Sequence, residues 1–312
     1  VTGYVVMAVF RPNPGHLAEQ VMSLRAQTLT DWRCLVGIDG ADPDAVRAVR
    51  SACEGDPRFT IIEHQINVGH YRQFERLLGD VPRRAEWVAL CDQDDVWCAD
   101  KLERLTPLLA AASLAQGEAM AVSQHGSRRS SRRTHLGLSA LLTDNQVTGG
   151  FSVLSPDVLE LALPFPAPTA AAYHDHWLGV CAHVLRGIAT CHAVVQTYRQ
   201  HDGNVIGEPV AGRLTSRMRR LVGATGSVKP SALLDEIRRE RFGWRVRVAR
   251  TVLARSEPRD RDRAALEAYA GGTLTWRLVR LVTGDVLARR VPPARALALL
   301  VAAPRRKGQG EW

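Results

Sequence analysis

A chain of 312 residues, 46% of them hydrophobic, carries enough apolar side chains for one large core or two smaller ones, which excludes a disordered or low-complexity protein. The net charge of +9 is unevenly placed: residues 1–200 hold 18 Lys and Arg against 21 Asp and Glu, and residues 201–312 hold 23 against 11, so the two parts stand at −3 and +12. The six cysteines are scattered without a CxxC pair, which excludes a zinc knuckle or disulfide scaffold and fits buried thiols in a reducing compartment.

Tyr4 to Phe10 (YVVMAVF) is a continuous apolar run and reads as a central strand. Arg11-Pro12-Asn13-Pro14-Gly15 is a loop, after which Leu17, Val21 and Leu24 recur at helical spacing. Trp32 to Ile38 is a second strand ending at Asp39-Gly40, and Asp42-Pro43-Asp44 starts the next helix. Phe59 to Glu63 is a third strand, followed by the loop Asn67-Val68-Gly69-His70 and a helix carrying Phe74, Leu77 and Leu78. Trp87 to Leu90 is a fourth strand, and it delivers Asp92, Asp94 and Asp95 to its end.

This alternation predicts an α/β layer on a mostly parallel sheet, with the loops 11–15, 39–44, 66–72 and 92–97 together at the carboxyl edge where ligands bind. Alternate carboxylates at such an edge can share one hard cation, Mg²⁺ or Mn²⁺, with the oxygens of a substrate diphosphate. The plainer role for the three acids is a turn that caps the helix beginning near Ala99.

Gln124 to Leu136 (QHGSRRSSRRTHL) has four arginines, three serines and no apolar period, and reads as a mobile loop: a solvated insert or a flap over an anionic ligand. Beyond Glu208, residues such as Leu234, Ile237, Trp244, Val248 and Val252 keep helical spacing with Arg238, Arg239, Arg241, Arg245 and Arg247 interleaved. A basic helical region facing an anionic partner, a membrane surface or nucleic acid, is expected there. Residues 296–303 (ALALLVAA) are too short to span a bilayer but long enough to lie on one. With no apolar run of about 20 residues and no cationic leader in VTGYVVMAVF, a cytoplasmic protein is expected.

Taken in order, Asp39-Gly40, Asn67-Val68-Gly69, Asp92-Gln93-Asp94-Asp95-Val96-Trp97, Thr148-Gly149-Gly150-Phe151, Tyr173-His174-Asp175-His176-Trp177 and Tyr198-Arg199-Gln200-His201-Asp202-Gly203-Asn204-Val205-Ile206-Gly207 form a series that resembles the family 2 glycosyltransferases of the GT-A fold, particularly the rhamnosyltransferase-like branch. The resemblance covers about the first 207 residues. It implies a GT-A domain over 1–207, a Rossmann-like nucleotide-sugar-binding mixed sheet flanked by helices, with 208–312 as a basic helical extension.

What the resemblance implies about chemistry is a nucleoside diphosphate sugar donor, dTDP-rhamnose as the best match and a UDP- or GDP-sugar as the alternative. The acceptor would be a glycan or polyprenyl-linked hydroxyl at the inner face of the membrane, and the cofactor Mg²⁺ or Mn²⁺. Asp94 matches the second acid of the family's Asp-x-Asp and would contact the metal, with Asp92 toward the ribose or metal and His201 completing the site. Phe10, Arg11, Asp39, Asn67, Arg72 and Asp95 would contact the donor, Asp39 by accepting from the base, although this chain has Ile38-Asp39 where the family commonly pairs two acids. Trp97, Gly149, Gly150, His174 and Trp177 would line the acceptor side, the tryptophans as sugar platforms or simply as core.

Asp175 would be the general base, in the first turn of a helix whose dipole favours the ionised form; the plainer role is a cap. One base and one diphosphate leaving group imply a single displacement with inversion. A non-catalytic nucleotide-sugar or nucleic-acid binding module is the alternative from another class; without zinc-finger, RRM or helix-turn-helix signatures, no nucleic acid partner is expected.

Overall fold

Along β1 (Gly3–Val9) the side chains alternate, so that Val5, Met7 and Val9 enter one buried cluster and Val6 enters another on the opposite face. A strand buried on both faces belongs in the middle of a sheet. The computed structural model, which describes residues 2–123, 126–129, 135–199 and 238–305, places it there. β2 (Trp32–Asp39) and β4 (Val88–Asp92) pair with β1 in parallel on its two sides, and β3 (Phe59–His64) lies beyond β2. The order β3-β2-β1-β4 therefore reverses direction between β1 and β4, which opens a crevice outside their carboxyl ends.

Helices α1 (Pro14–Arg25) and α2 (Pro43–Cys53) cover one face, burying Leu17, Val21, Leu24 and Val49. Their starts follow from local chemistry: the Asn13 and Asp42 side chains each accept two backbone N–H groups of the first turn, and a proline opens each helix. Helix α3 (Gly69–Gly79) covers the other face with Tyr71, Phe74, Leu77 and Leu78.

The second half of the sheet is mixed. β4 runs antiparallel to β8 (Ser152–Leu154), β8 antiparallel to β6 (Leu114–Ser123), β6 parallel to β9 (Ile188–Arg199), and β9 antiparallel to the two-residue β5 (Val96–Trp97). The loop expected over Gln124 to Leu136 needs correction, because Gly126–Arg129 is a strand, β7, paired antiparallel with β6. Its Arg129 Nε donates to Glu118 Oε2 at 2.6 Å, so one arginine of this run is committed to the sheet. Residues 124–125 and 130–134 lie outside those described.

Helices α4 (Lys101–Leu105), α5 (Leu138–Thr143), α6 (Asp157–Ala162) and α7 (His174–Leu185) complete this half. The C-terminal part is helical as expected: α8 (Gly243–Arg255), α9 (Asp260–Ala270), α10 (Trp276–Leu287) and α11 (Pro293–Ala302). They pack on α5 and α7, and one buried cluster runs from Tyr71 and Trp177 through to Trp244, Tyr269 and Leu299. The described C-terminal helices thus share a core with the α/β layer, while the boundary expected at 207 falls outside the described residues.

At the joint, His176 on α7 accepts from Trp244 Nε1 through Nδ1 at 3.0 Å and donates through Nε2 to the Leu141 carbonyl at 2.9 Å. Those two bonds fix a neutral tautomer in a dry setting. Burial, helped by the nearby Arg245 charge, holds His176 down to about 3. An unfolded chain takes that proton near 6.5, so the stability this residue contributes is complete above about 6.5 and is lost as pH falls toward 3. Urea unfolding should therefore show a weaker protein at pH 5 than at pH 7.5, and His176→Gln should narrow that difference by about 2 kcal/mol. An undiminished difference in the variant would place the acid sensitivity elsewhere.

Candidate functional site

Asp92 ends β4 beside Ala8 of β1, at the point where strand order reverses. The antiparallel register Val88↔Leu154 and Ala89↔Val153, carried three pairs further, sets Gly150 across from Asp92. A Cβ on Gly150 would stand 2.8 Å from Asp92 Oδ2, and one on Gly149 would stand 2.6 Å from His174 Nε2. The loop can lie this close to the acids only as glycine.

On the loop's other side Asp175, buried in the first turn of α7, accepts from Asn145 Nδ2 at 2.9 Å, from the His176 N–H at 2.7 Å and from the Gly149 N–H at 3.4 Å. The expected base and the expected metal acids thus meet across one glycine turn. Their proximity is electrostatically visible: burial first, then Asp94, then Asp175 push Asp92 up to about 7.

Beneath the acids lies a group that sequence reading passes over. Lys101 is fully buried, and its Nζ donates to the Gly150 carbonyl and to Gln196 Oε1, the latter at 2.7 Å. The ammonium also sits 3.5 Å from the Trp97 ring centroid. Burial pulls Lys101 down to about 7, opposed by the nearby acidic groups, including Asp95 and Asp92. A buried cation is tenable only where such partners surround it. Gln196 in turn donates to Asp95 Oδ2 at 2.6 Å, and the Arg199 N–H donates to Asp95 Oδ1 at 3.2 Å. Burial, then Asp92 and Asp94, raise Asp95 well above the usual carboxylate range. Arg199 also donates from Nη1 to the Asp94 carbonyl at 3.0 Å and pairs with Glu19. One sequence signal for Lys101 existed: it stands four residues after Trp97, near enough along the chain for its cation to reach that ring.

Of the residues expected to contact the donor, Phe10, Arg11 and Asn67 line a cleft of about 600 Å³ together with Gly40, Ala41, Asp42 and Gln65, while Asp39 and Asp95 are not among its lining. Phe10 is clamped to the acid loop by a reciprocal pair: its N–H donates to Gln93 Oε1 at 2.8 Å and Gln93 Nε2 donates to its carbonyl at 3.0 Å. Arg11 takes a left-handed backbone, φ 43°, and holds its guanidinium 5.1 Å from the Phe10 ring centroid. Asp39 is buried, and its two oxygens accept the Val68 and Gly69 N–H groups, each at 2.8 Å, which ties the loop after β3 to the end of β2. Asn67 accepts the Gly69 N–H at 3.2 Å. Arg72 is held on α3 by Glu75 and donates to the Phe165 carbonyl at 3.3 Å, and it is not among the residues lining that cleft.

The platform role considered for the two tryptophans is corrected here. Trp97 is 3% exposed and Trp177 0%, and Trp177 donates its indole N–H to the Ala162 carbonyl at 3.0 Å, so neither ring offers a face to a sugar. His174 is stacked on Phe74 with centroids 4.0 Å apart, and burial, then His70, lower it to about 3; a neutral imidazole lies against the glycine turn. His201 lies outside the described residues.

For a divalent cation, Asp92 and Asp94 offer hard oxygen donors, Gly150 leaves the space before Asp92 Oδ2 free of a side chain, and a cation would relieve the repulsion that raises Asp92. Among the described residues no three His, Cys, Asp or Glu side chains converge as a ready-made cage. Mg²⁺-type ions take one or two carboxylates and complete their shell with phosphate oxygens, so the two acids fit that group.

The sequence model of the family described as "Glycosyl transferase family 2" matches residues 4–179. An uncharacterized protein of Sinorhizobium fredii is 34% identical over 99 residues, which are 31% of this chain and 11% of that protein. The succinoglycan biosynthesis protein ExoW of Rhizobium meliloti is 36% identical over 99 residues, 31% of each chain, so the match spans less than a third of either curated relative. Among solved structures, residues 1–349 of S. aureus TarS in complex with UDP-GlcNAc align with TM-score 0.59 and 13% identity over 96% of this chain and 84% of that one. The mannosyltransferase PcManGT of Pyrobaculum calidifontis in complex with GDP-Man and Mn²⁺ aligns with TM-score 0.50 and 17% identity over 96% and 85%. At such identities the likeness is one of fold, and the fold is GT-A.

The buried support can be tested without a ligand. Lys101→Met keeps the length of the side chain but orphans the Gly150 carbonyl and Gln196 Oε1 and leaves the acids without a cation. Urea denaturation should show a loss of about 3 kcal/mol. A loss below about 0.5 kcal/mol would mean that the acids hold their places without it.

Proposed function

The chain belongs to glycosyl transferase family 2, and on that premise we propose that it moves a sugar from a nucleoside diphosphate donor to an acceptor hydroxyl with inversion. The observation that carries this reading is the meeting of two acid groups of different setting across Gly149 and Gly150: Asp92 and Asp94 on the strand end, Asp175 on a helix start. The cleft between the loops after β1, β2 and β3 takes the nucleoside, which brings the diphosphate toward Asp92 and Asp94. Those two acids would hold Mg²⁺ or Mn²⁺, and His201 would join them. Bound there, the cation supplies charge neutralisation for the departing diphosphate.

Asp175 takes the proton of the attacking hydroxyl. Its carboxylate is held in place in the first turn of α7 by hydrogen bonds from Asn145, His176 and Gly149. A single base opposite a diphosphate leaving group supports one displacement with inversion. The rhamnosyltransferase-like motif series favours dTDP-rhamnose as donor; the UDP-GlcNAc and GDP-Man in the two similar structures keep UDP- and GDP-sugars as the second reading. A glycan or polyprenyl-linked acceptor is supported by the likeness to a succinoglycan biosynthesis protein and by the basic C-terminal region, which suits an acceptor held at the inner membrane face.

With dTDP-, UDP- and GDP-sugars assayed in Mn²⁺, Asp175→Asn should lower turnover by about 10²- to 10⁴-fold while donor affinity and thermal stability stay near wild type. Near-normal turnover would assign Asp175 to holding the glycine turn and the start of α7, where the Oδ1 of Asn can keep the bonds from Asn145 and His176. Asp94→Asn should instead weaken Mn²⁺-dependent donor binding about 10- to 100-fold, as calorimetry can read. Donor affinity that is unchanged and still needs Mn²⁺ would make Asp94 structural.

A further inference from the structure

We propose that the outward faces of α10 and α11 form a docking surface for an anionic lipid bilayer, an inference that rests on the reading of a membrane-held acceptor and assigns the contact to one face. Both helices turn apolar residues inward, Leu278 and Val282 from α10, Ala296, Leu299 and Ala302 from α11, and both pack on α5. Their opposite faces therefore turn away from the core together.

Those faces are apolar where water would favour polar side chains. Trp276 is 68% exposed, Leu287 84%, Leu297 64% and Val301 54%, half of the eight large hydrophobics most exposed among the described residues and all from two consecutive helices. Their spacing gives stripes: Trp276, Arg280, Thr283 and Leu287 share one side of α10, and Ala294, Leu297, Ala298 and Val301 share one side of α11.

Charge identifies the occupant. Residues 276–305 carry six arginines, at 277, 280, 289, 290, 295 and 305, against a single acid, Asp285. That acid is buried and bonded to Ser139 and Arg290, and Arg295 pairs with Asp144. Arg280 lies within the apolar stripe of α10, and Arg277, Arg289 and Arg305 are exposed beside it on these helices or at their ends, so the region is positive and apolar at once. A second copy of the chain would set like charges against one another, and a nucleic acid offers no apolar phase for Trp276 or Leu287. A bilayer with anionic headgroups satisfies both: arginines reach headgroups while their stems and the indole lie at the interface. No helix among the described residues is long and apolar enough to cross a membrane, so the contact is one of lying on the surface.

The test floats the full chain with vesicles of phosphatidylcholine alone and of phosphatidylcholine mixed with phosphatidylglycerol. Recovery with the mixed vesicles at moderate salt, and little with the neutral ones, is expected. Replacing Trp276, Leu287, Leu297 and Val301 together by Ser should lower partitioning by about tenfold or more with melting temperature and donor binding unchanged. A second variant, Arg277→Gln with Arg280→Gln and Arg289→Gln, touches no buried contact and should lose the preference for anionic vesicles even if the first variant folds poorly. Wild-type chain that stays off anionic vesicles, or variants that float as well as wild type, would overturn the proposal, as would a dimer in light scattering that the Ser variant abolishes. Donor binding measured on the same samples separates the two readings, since a chain that binds donor but not vesicles sinks only this one.

Discussion

Holding several carboxylates together at the end of a buried strand is the constraint to which much of this fold responds. Desolvation and mutual repulsion push Asp92 and Asp95 toward the protonated form. The counterweights come from distant parts of the chain: Lys101 from α4, Gln196 and the Arg199 N–H from β9, and a glycine turn just before β8 that adds no side chain to the crowd. The parallel half of the sheet alone, β3-β2-β1-β4, would present the acids but not balance them. The mixed half of the sheet, together with α4, is what balances them.

The same logic extends to the C-terminal helices. Asp175 sits on α7, and the residue after it is fixed between Leu141 of α5 and Trp244 of α8. Arg245, next along α8, donates to the carbonyls of Leu142 and Thr143, and the Tyr269 and Thr143 hydroxyls meet at 2.7 Å. The helices beyond residue 238 therefore buttress the element that carries the proposed base, and their loosening would reach the site through α7. Under the proposed bilayer contact, a region whose outer face lies on the membrane and whose inner face sets α7 would join the place of the acceptor to the chemistry acting on it.

What could be read from the sequence divides along physical lines. The strands β1, β2 and β4 were legible because a strand buried on both faces is a mostly apolar run, the edge strand β3 was legible by its short stretch Phe59-Thr60-Ile61-Ile62, and the acids were legible because strand ends are where such groups gather. β6, β8 and β9 carry mixed sequences such as LAQGEAMAVS, and their identity is decided by non-local pairing, as is that of Gly126–Arg129, whose arginines read as loop. Lys101 looked like any helix-surface lysine because its partners lie 49 and 95 residues away. Trp97 and Trp177 allowed two readings until burial made both of them core. Asp39 was legible as a residue of the loop cluster, but its bonds to the Val68 and Gly69 N–H groups were not.

On the proposed reading, the acids at the end of β4 and the cleft beside them bind a divalent cation and a nucleoside diphosphate as one unit. Thermal unfolding of the full chain with dTDP, UDP and GDP, each in Mn²⁺ and in EDTA, tests it most directly. A ligand at about 100 times its dissociation constant stabilises a folded protein by about 2.7 kcal/mol, so at least one diphosphate should raise the melting temperature by several degrees in Mn²⁺ and by far less in EDTA. No shift with any diphosphate, or the same shift in EDTA as in Mn²⁺, would contradict the account.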